Sequence, residues 1–588
     1  MQPRQMLDRL CDLVGIAHDY TDIWGKRHRT PVQTKRALLA AMGYPVEDKG
    51  ELAAALQAEE QRPWGRWLPP VVVVEETQSP LVLEATLPAA LEEGTLTATL
   101  TLESGERRQE RFQVAELEVL DSRELDGTTI RRQRLVMDPV AETGYHRLEL
   151  AAGRQRVVTE LIITPRHGYS PPCLEGEGRV WGPALQLYGV RSQHNWGIGD
   201  FSDLGVALEQ AAEQGADVVG VNPLHALFPH NPEQASPYSP SSRLWLNVLY
   251  LDLEAIADYG ESAPARELVQ DSQFQARLRA LRTAEMVQYW EVGEVKFPVL
   301  EALYRHFRER HLGSGSRRGR AFRDFCRQGG ESLESLALFE ALQAHLHAQN
   351  PNIWGWPVWP EEYRDPKGAA VRAFFDSHRE RVEFYQYLQW QADLQLGACG
   401  RRAEELGLGV GLYQDLAVSI NDGGAEAWAH RELYALQARV GAPPDEFSPK
   451  GQDWGLPPLI PQRLTESAYR PFISMLRANM KHAGALRIDH VMGLVRLYWV
   501  PLGMSADQGA YVSYPYRDLL GLVALESQRN RCLVIGEDLG TVPDELRETA
   551  GPLGVLSYRL LYFERDEQQS FLPPRDYPRE ALVAVSTH

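Results

Sequence analysis

The chain has 588 residues, 44% of them hydrophobic, 24% charged and 9% aromatic, with a formal charge of −19. That length exceeds one ordinary domain, and the composition is that of a packed globular protein. The net negative charge disfavours a nucleic-acid backbone or an anionic membrane surface as partner and suits a neutral substrate.

The N-terminal stretch "MQPRQMLDRLCDLVGIAHDY" mixes charges among its apolar residues, so it has no signal-peptide core. No apolar run approaches the length of a membrane span. The five cysteines are scattered, with no CxxC pair, as expected of reduced thiols in a cytoplasmic protein.

Residues 1–65 read as a helical region, with apolar residues at helical spacing in "RQMLDRLCDLVGIAHDY" and "TPVQTKRALLAAMG". Residues 66–166 read as a β-sandwich. Short β runs alternate there with turns: "VVVVEE", "LVLEATL", "TLTATLTL", "YHRLELAA" and "RVVTELIITP". From 167 to 588 the rhythm becomes strand, loop, helix. Apolar runs fall at 184–190, 217–224, 408–418, 484–491, 532–539, 556–563 and 581–588. Continuous apolar strands separated by helices predict a parallel sheet covered on both faces. Seven such strands approach the eight of a (β/α)8 TIM barrel. A mostly helical insertion, about 255–395, separates the second strand from the third.

A barrel carries its active site at the C-terminal ends of its strands. The third strand delivers Asp415 there. The fourth delivers Arg487, Asp489 and His490, the fifth Glu537 and Asp538, and the seventh His588. Arg487 and Asp489 are two apart and share a strand face, so the guanidinium is expected to lower the Asp489 pKa and keep it anionic. Glu537 follows the apolar run "CLVIG" with no base close in sequence, so burial is expected to keep it protonated. One anionic and one protonated carboxyl on adjacent strands is what a retaining glycosidase uses, with the two about 5–5.5 Å apart. Charged residues at strand ends also serve simply as solvated or capping groups.

"HNWGIGDF" lacks the third glycine and the Lys-Ser/Thr of a phosphate loop. His194, His225 and His230 match no metal-binding helix motif, so no catalytic metal and no cofactor are expected.

In this order, "LRIDH", "IGEDLG" and "STH" resemble the 4-α-glucanotransferases (amylomaltases) of glycoside hydrolase family 77, extended bacterial type. The stretches "YGVRSQHNWGIGDFSDL", "NPLHALFP", "SPYSPSSRLWLNVLYLDL" and "GAPPDEFSPKGQDWGLPP" agree. The resemblance implies Asp489 as nucleophile and Glu537 as general acid/base. It implies Arg487 and His490 around the −1 sugar, Asp415 at the site floor, and His588 before a third carboxylate. It further implies Asp445, Phe447, Gln452 and Trp454 on a loop over the acceptor sugars, although Phe447 and Trp454 also suit ordinary packing.

Family members carry Asp after "STH", so the chain is expected to be a barrel truncated after strand seven. Implied partners are maltooligosaccharide and glucan donors and acceptors and glucose, with no nucleic acid and no membrane. The implied reaction is transfer of an α-1,4-glucan segment to an acceptor 4-hydroxyl. An α-glucan hydrolase is the alternative, and a non-catalytic glucan-binding protein is a third reading.

Overall fold

The computed structural model describes residues 1–446 and 448–586. Three helices, Pro3–Val14, Val32–Ala41 and Lys49–Gln61, open the chain. Their apolar stripes (Leu7, Leu10, Val14, Leu38, Leu39, Leu52, Leu56) do not form a separate core. They join one cluster with Leu486 and Val534 of the parallel sheet described below.

Eight strands between Val71 and Thr164 form two sheets. One has the order Val71–Glu75, Gln155–Thr164, Gly144–Ala152, Thr95–Thr101, Arg107–Gln113. The other has the order Leu81–Pro88, Thr128–Met137, Val119–Leu125. Period-2 alternation puts Leu83, Ala85 and Leu87 of one sheet against Leu96, Ala98, Leu100, Leu148 and Leu150 of the other. Three strands went unread in the sequence: Arg107–Gln113, Val119–Leu125 and Thr128–Met137. The first two carry charges on mostly exposed faces and lack an apolar run.

Seven parallel strands follow: β1 (Ala184–Leu185), β2 (Val218–Val221), β3 (Gly411–Leu416), β4 (Ala485–Ile488), β5 (Leu533–Gly536), β6 (Ser557–Leu560) and β7 (Ala581–Ala584). β1 to β5 pair in consecutive order, β6 pairs with β7, and a parallel bridge from Ile535 to Leu556 joins β5 to β6. β1 is shorter than its apolar run, because Leu187–Gly189 turns into a 3-10 helix.

Between β2 and β3 lies the helical insertion. It includes α1 (Ala257–Glu261), α2 (Tyr289–Phe307), α3 (Arg317–Gln349) and α4 (Arg379–Glu405). α4 runs unbroken through residue 395. No helix among the described residues is long and apolar enough to cross a membrane.

The alternation inside the parallel strands positions the site. Leu412 of β3, Leu486 of β4 and Val534 of β5 face the covering helices. Tyr413, Ala485, Leu533 and Ile535 face the opposite side, where they form one cluster with Tyr558 and Leu560 of β6. Counting on by twos along that same face reaches Asp415 on β3, Arg487 then Asp489 on β4, and Glu537 on β5. The apolar lower layer thus gives way to charged groups at the strand ends.

Candidate active site

Parallel register sets Asp415 opposite Arg487, and Arg487 opposite Ile535. Arg487 Nη1 donates to Asp415 Oδ1 at 2.7 Å, and its Nη2 lies 2.9 Å from Asp489 Oδ1. The Arg487 guanidinium also lies over the Tyr558 ring, 5.3 Å from its centre. The second Asp415 oxygen accepts the Tyr238 hydroxyl at 2.7 Å. Burial works against the Arg487 charge, but the two aspartates more than offset it and raise its pKa.

The ladder continues past the last paired residues. The Glu537 amide donates to the Ile488 carbonyl at 3.0 Å, and the Val491 amide to the Glu537 carbonyl at 2.9 Å. The Glu537 carboxyl accepts the His490 amide at 2.9 Å and the Leu539 amide at 2.8 Å, one on each oxygen. The first of these bonds requires a bend in the chain. His490 sits in the left-handed region, with φ 49°. A non-glycine residue adopts that conformation at a cost, and such strain concentrates at functional sites.

Burial raises both carboxyls. Asp489 is pushed up to about 7, first by burial; Arg487 pulls it back down, while Asp415 and Glu537 push it up. This corrects the expectation that Arg487 would hold Asp489 below the usual carboxylate range: burial and two neighbouring carboxylates outweigh one guanidinium. Glu537 is raised by burial as expected, although the two backbone N–H groups oppose the shift. Burial lowers His490 to about 4, which leaves it a neutral hydrogen-bonding group near pH 7.

Trp454 packs edge-on against the His490 ring, with centroids 5.1 Å apart. Its indole N–H donates to Gln452 Oε1 at 3.0 Å. The turn that carries them is closed by Ser448 donating to Asp445 Oδ1 at 2.5 Å and by pairing of Ala442 with Gln452. The structure therefore gathers Asp415, Arg487, Asp489, His490, Glu537 and Trp454, with Gln452 behind the indole and Asp445 in the turn. Phe447 and His588, both named from the sequence, lie outside the described residues.

Tyr238 and Tyr558 were missed. Tyr238 lies in a loop, within "SPYSPSS", and Tyr558 lies in an apolar run, so only tertiary contact reveals either. Behind the site, buried Arg243 donates to the carbonyls of Ala417 and Val418, and His225 Nε2 accepts the Ala417 amide at 3.1 Å. Together they fix the loop that leaves β3.

Residues 185–588 match the family model described as 4-alpha-glucanotransferase, and residues 67–165 match that of the MalQ N-terminal beta sandwich domain. A Haemophilus influenzae protein named 4-alpha-glucanotransferase is 41% identical over 453 residues, 76% of this chain. The chain spans 64% of that relative's length. A Mycobacterium bovis protein of the same name is 36% identical over 98% of this chain and 78% of its own length. Among solved structures, an amylomaltase from Corynebacterium glutamicum superposes with a TM-score of 0.85 at 30% identity, covering 99% of this chain and 79% of that one. An amylomaltase from Streptococcus agalactiae in complex with acarbose shares the fold at TM-score 0.59 and 19% identity, over 70% of this chain and 79% of its own.

Proposed function

The chain belongs to the 4-alpha-glucanotransferase family, glycoside hydrolase family 77, and from that premise we propose that it transfers segments of α-1,4-glucans between glucan acceptors with retained configuration. Donors and acceptors are maltooligosaccharides, with glucose as the smallest acceptor and the cytoplasm as the site of action. We read residues 1–65, 66–166 and 167–588 as a helical region, a sandwich and a (β/α)8-type barrel, seven of whose strands are described above. The observation that supports the mechanism most is the shared guanidinium. Arg487 bridges Asp415 and Asp489 directly beside Glu537, whose two oxygens are held by backbone N–H groups.

In the first step the Asp489 carboxylate attacks the anomeric carbon while Glu537 gives its proton to the departing glycosidic oxygen. A covalent glycosyl-aspartate forms and the shortened glucan leaves with a free 4-hydroxyl. In the second step the Glu537 carboxylate takes the proton of an acceptor 4-hydroxyl, whose oxygen displaces Asp489. The proton given in step one is thus recovered in step two.

Of the two raised carboxyls, Asp489 has the direct guanidinium partner and is the one read as anionic. As the oxocarbenium character of the sugar develops, Asp489 and Asp415 supply negative charge, and Arg487 holds both in position. The Trp454 face is read as an acceptor-sugar platform whose occupation excludes water. The test is product analysis on maltotriose. Transfer gives glucose plus oligosaccharides longer than the substrate, whereas a hydrolase gives only shorter sugars.

A further inference from the structure

A second cluster of chemistry-bearing residues lies in the helical insertion and shares no residue with the site above. Asp258 and Glu261 come from α1, His306 from α2, and His311 from the segment Arg308–Leu312 that follows α2. One ligand atom from each lies within 4.8 Å of all the others. We propose that Asp258, Glu261, His306 and His311 bind a divalent transition-metal ion of the zinc type.

Local backbone structure makes the cluster. Five residues apart on an ordinary α-helix, His306 and His311 would point about 140° from each other. Arg308–Leu312 is instead a π-helix, whose wider turn rotates His311 back toward the face that carries His306. The two rings consequently lie 6.3 Å apart, and both Nε2 atoms approach the same atom, Glu261 Oε2, at 3.2 and 3.0 Å. π-turns are rare and gather at functional sites. The His311 ring is further held by stacking on Phe307 and by Ser316 Oγ at 3.3 Å from its Nδ1.

Hydrogen bonding alone does not satisfy this arrangement. His311 Nε2 lies between Glu261 Oε2, an acceptor only, and Arg318 Nη1 at 3.2 Å, a donor only. With Nε2 bare, it accepts from the guanidinium but faces the carboxylate lone pair to lone pair. With Nε2 protonated, the mismatch moves to the guanidinium. A cation received between bare Nε2 and Oε2 makes both atoms ligands and takes the single Nε2 lone pair, so binding also requires Arg318 Nη1 to leave Nε2 for the other Glu261 oxygen, 3.9 Å from it in this structure.

Asp258 supplies the independent observation. Its side chain is 0% exposed. One oxygen, Oδ2, takes both Arg318 and the Tyr387 hydroxyl, while Oδ1 is buried with no hydrogen-bond partner among the described residues. A buried unpartnered carboxylate oxygen is costly. Arg318 and Tyr387 act as the outer partners that orient a ligating carboxylate and leave Oδ1 to the ion. Two imidazoles and two carboxylates suit zinc and its neighbours rather than calcium or magnesium. Four ligands at 2.0–2.1 Å from a tetrahedral centre are roughly 3.4 Å apart, so binding contracts the cluster and clamps α1 to the end of α2.

The test uses the full 588-residue chain, stripped with EDTA and titrated with cobalt(II) and zinc(II). The expected result is one saturable equivalent per chain, the visible d–d absorption of four-coordinate cobalt, and a zinc-dependent rise in Tm. Glu261 is 50% exposed, so Glu261→Gln leaves the fold intact and is expected to weaken uptake at least about tenfold. The double variant His306→Ala/His311→Ala is expected to abolish it, and His167→Ala, at an exposed histidine elsewhere, to leave it unchanged. No saturable uptake by the unaltered chain overturns the proposal, as does uptake that is the same in Glu261→Gln. If the double variant does not fold, Glu261→Gln alone decides.

Discussion

The sandwich and the strand ends of the parallel sheet bury opposite kinds of chemistry. Between the two sandwich sheets, alternation delivers Leu83, Leu100, Leu135, Leu148 and Leu161 to a dry interior. On β3, β4 and β5 the same alternation starts with apolar residues and ends on Asp415, Arg487, Asp489 and Glu537, all buried or nearly so. A sandwich core is stabilised by removing apolar surface from water. Buried charge costs stability unless it is paired, and here two aspartates share one guanidinium while Glu537 has only backbone N–H partners. The contrast teaches where the molecule holds a chemistry its packing would not otherwise keep. The sandwich follows the stability rules throughout, and the strand ends depart from them at the residues proposed to act on a glycosidic bond.

The sharpest way to break this contrast is Asp489→Asn. The amide keeps the shape and removes the proposed nucleophile, so maltotriose disproportionation is expected to fall by on the order of 10⁴ or more in kcat. Near-normal activity would remove Asp489 from the mechanism. Leu148→Ala in the sandwich is expected to do the reverse. It costs about 2–5 kcal/mol of stability, seen as a lower melting temperature or denaturant midpoint, while kcat of the folded protein is unchanged.

A third outcome concerns pH. The Asp489 carboxyl is raised from 3.8 to about 7, so the acid limb of kcat/KM is expected near neutrality, reporting the Asp489–Glu537 pair as a unit. Activity is expected to fall as pH drops through that limb, because the anionic form of the proposed nucleophile is lost. Stability moves the other way. The native carboxyl keeps its proton where the unfolded chain has lost it, so this group favours the folded state at low pH and loses that contribution as pH rises from about 4 to about 7. Asp489→Asn is therefore expected to raise Tm more at pH 8 than at pH 5. An acid limb near 4, with no such difference in Tm, would place the site in a more solvated setting than the one described.

Much of this contrast was legible in the sequence, and its limits have physical causes. Strands with apolar alternation, such as Thr95–Thr101 and Gly144–Ala152, announced themselves. Arg107–Gln113 did not, because its exposed faces are charged and only pairing with Thr95–Thr101 makes it a strand. Asp489 and Glu537 stood out because each follows an apolar run by the right number of residues. The pKa of Asp489 was misread because its perturbers are distant in sequence. Asp415 lies on another strand, and burial is a property of the assembled sheet. The His306–His311 cluster was invisible for the same reason, since a five-residue spacing signals nothing unless the backbone widens into a π-turn.

The central claim, that Asp489 attacks and Glu537 serves as its acid and base, is tested most directly by trapping. Glu537→Gln should be inert on maltotriose, yet an α-glycosyl fluoride has a leaving group that needs little proton help, so the first step survives. With no base to activate an acceptor, the covalent intermediate accumulates. Intact-mass spectrometry should then show one added glycosyl unit, and peptide mapping should place it on the segment that contains Asp489. Turnover without an adduct, or an adduct on any other residue, would contradict the account.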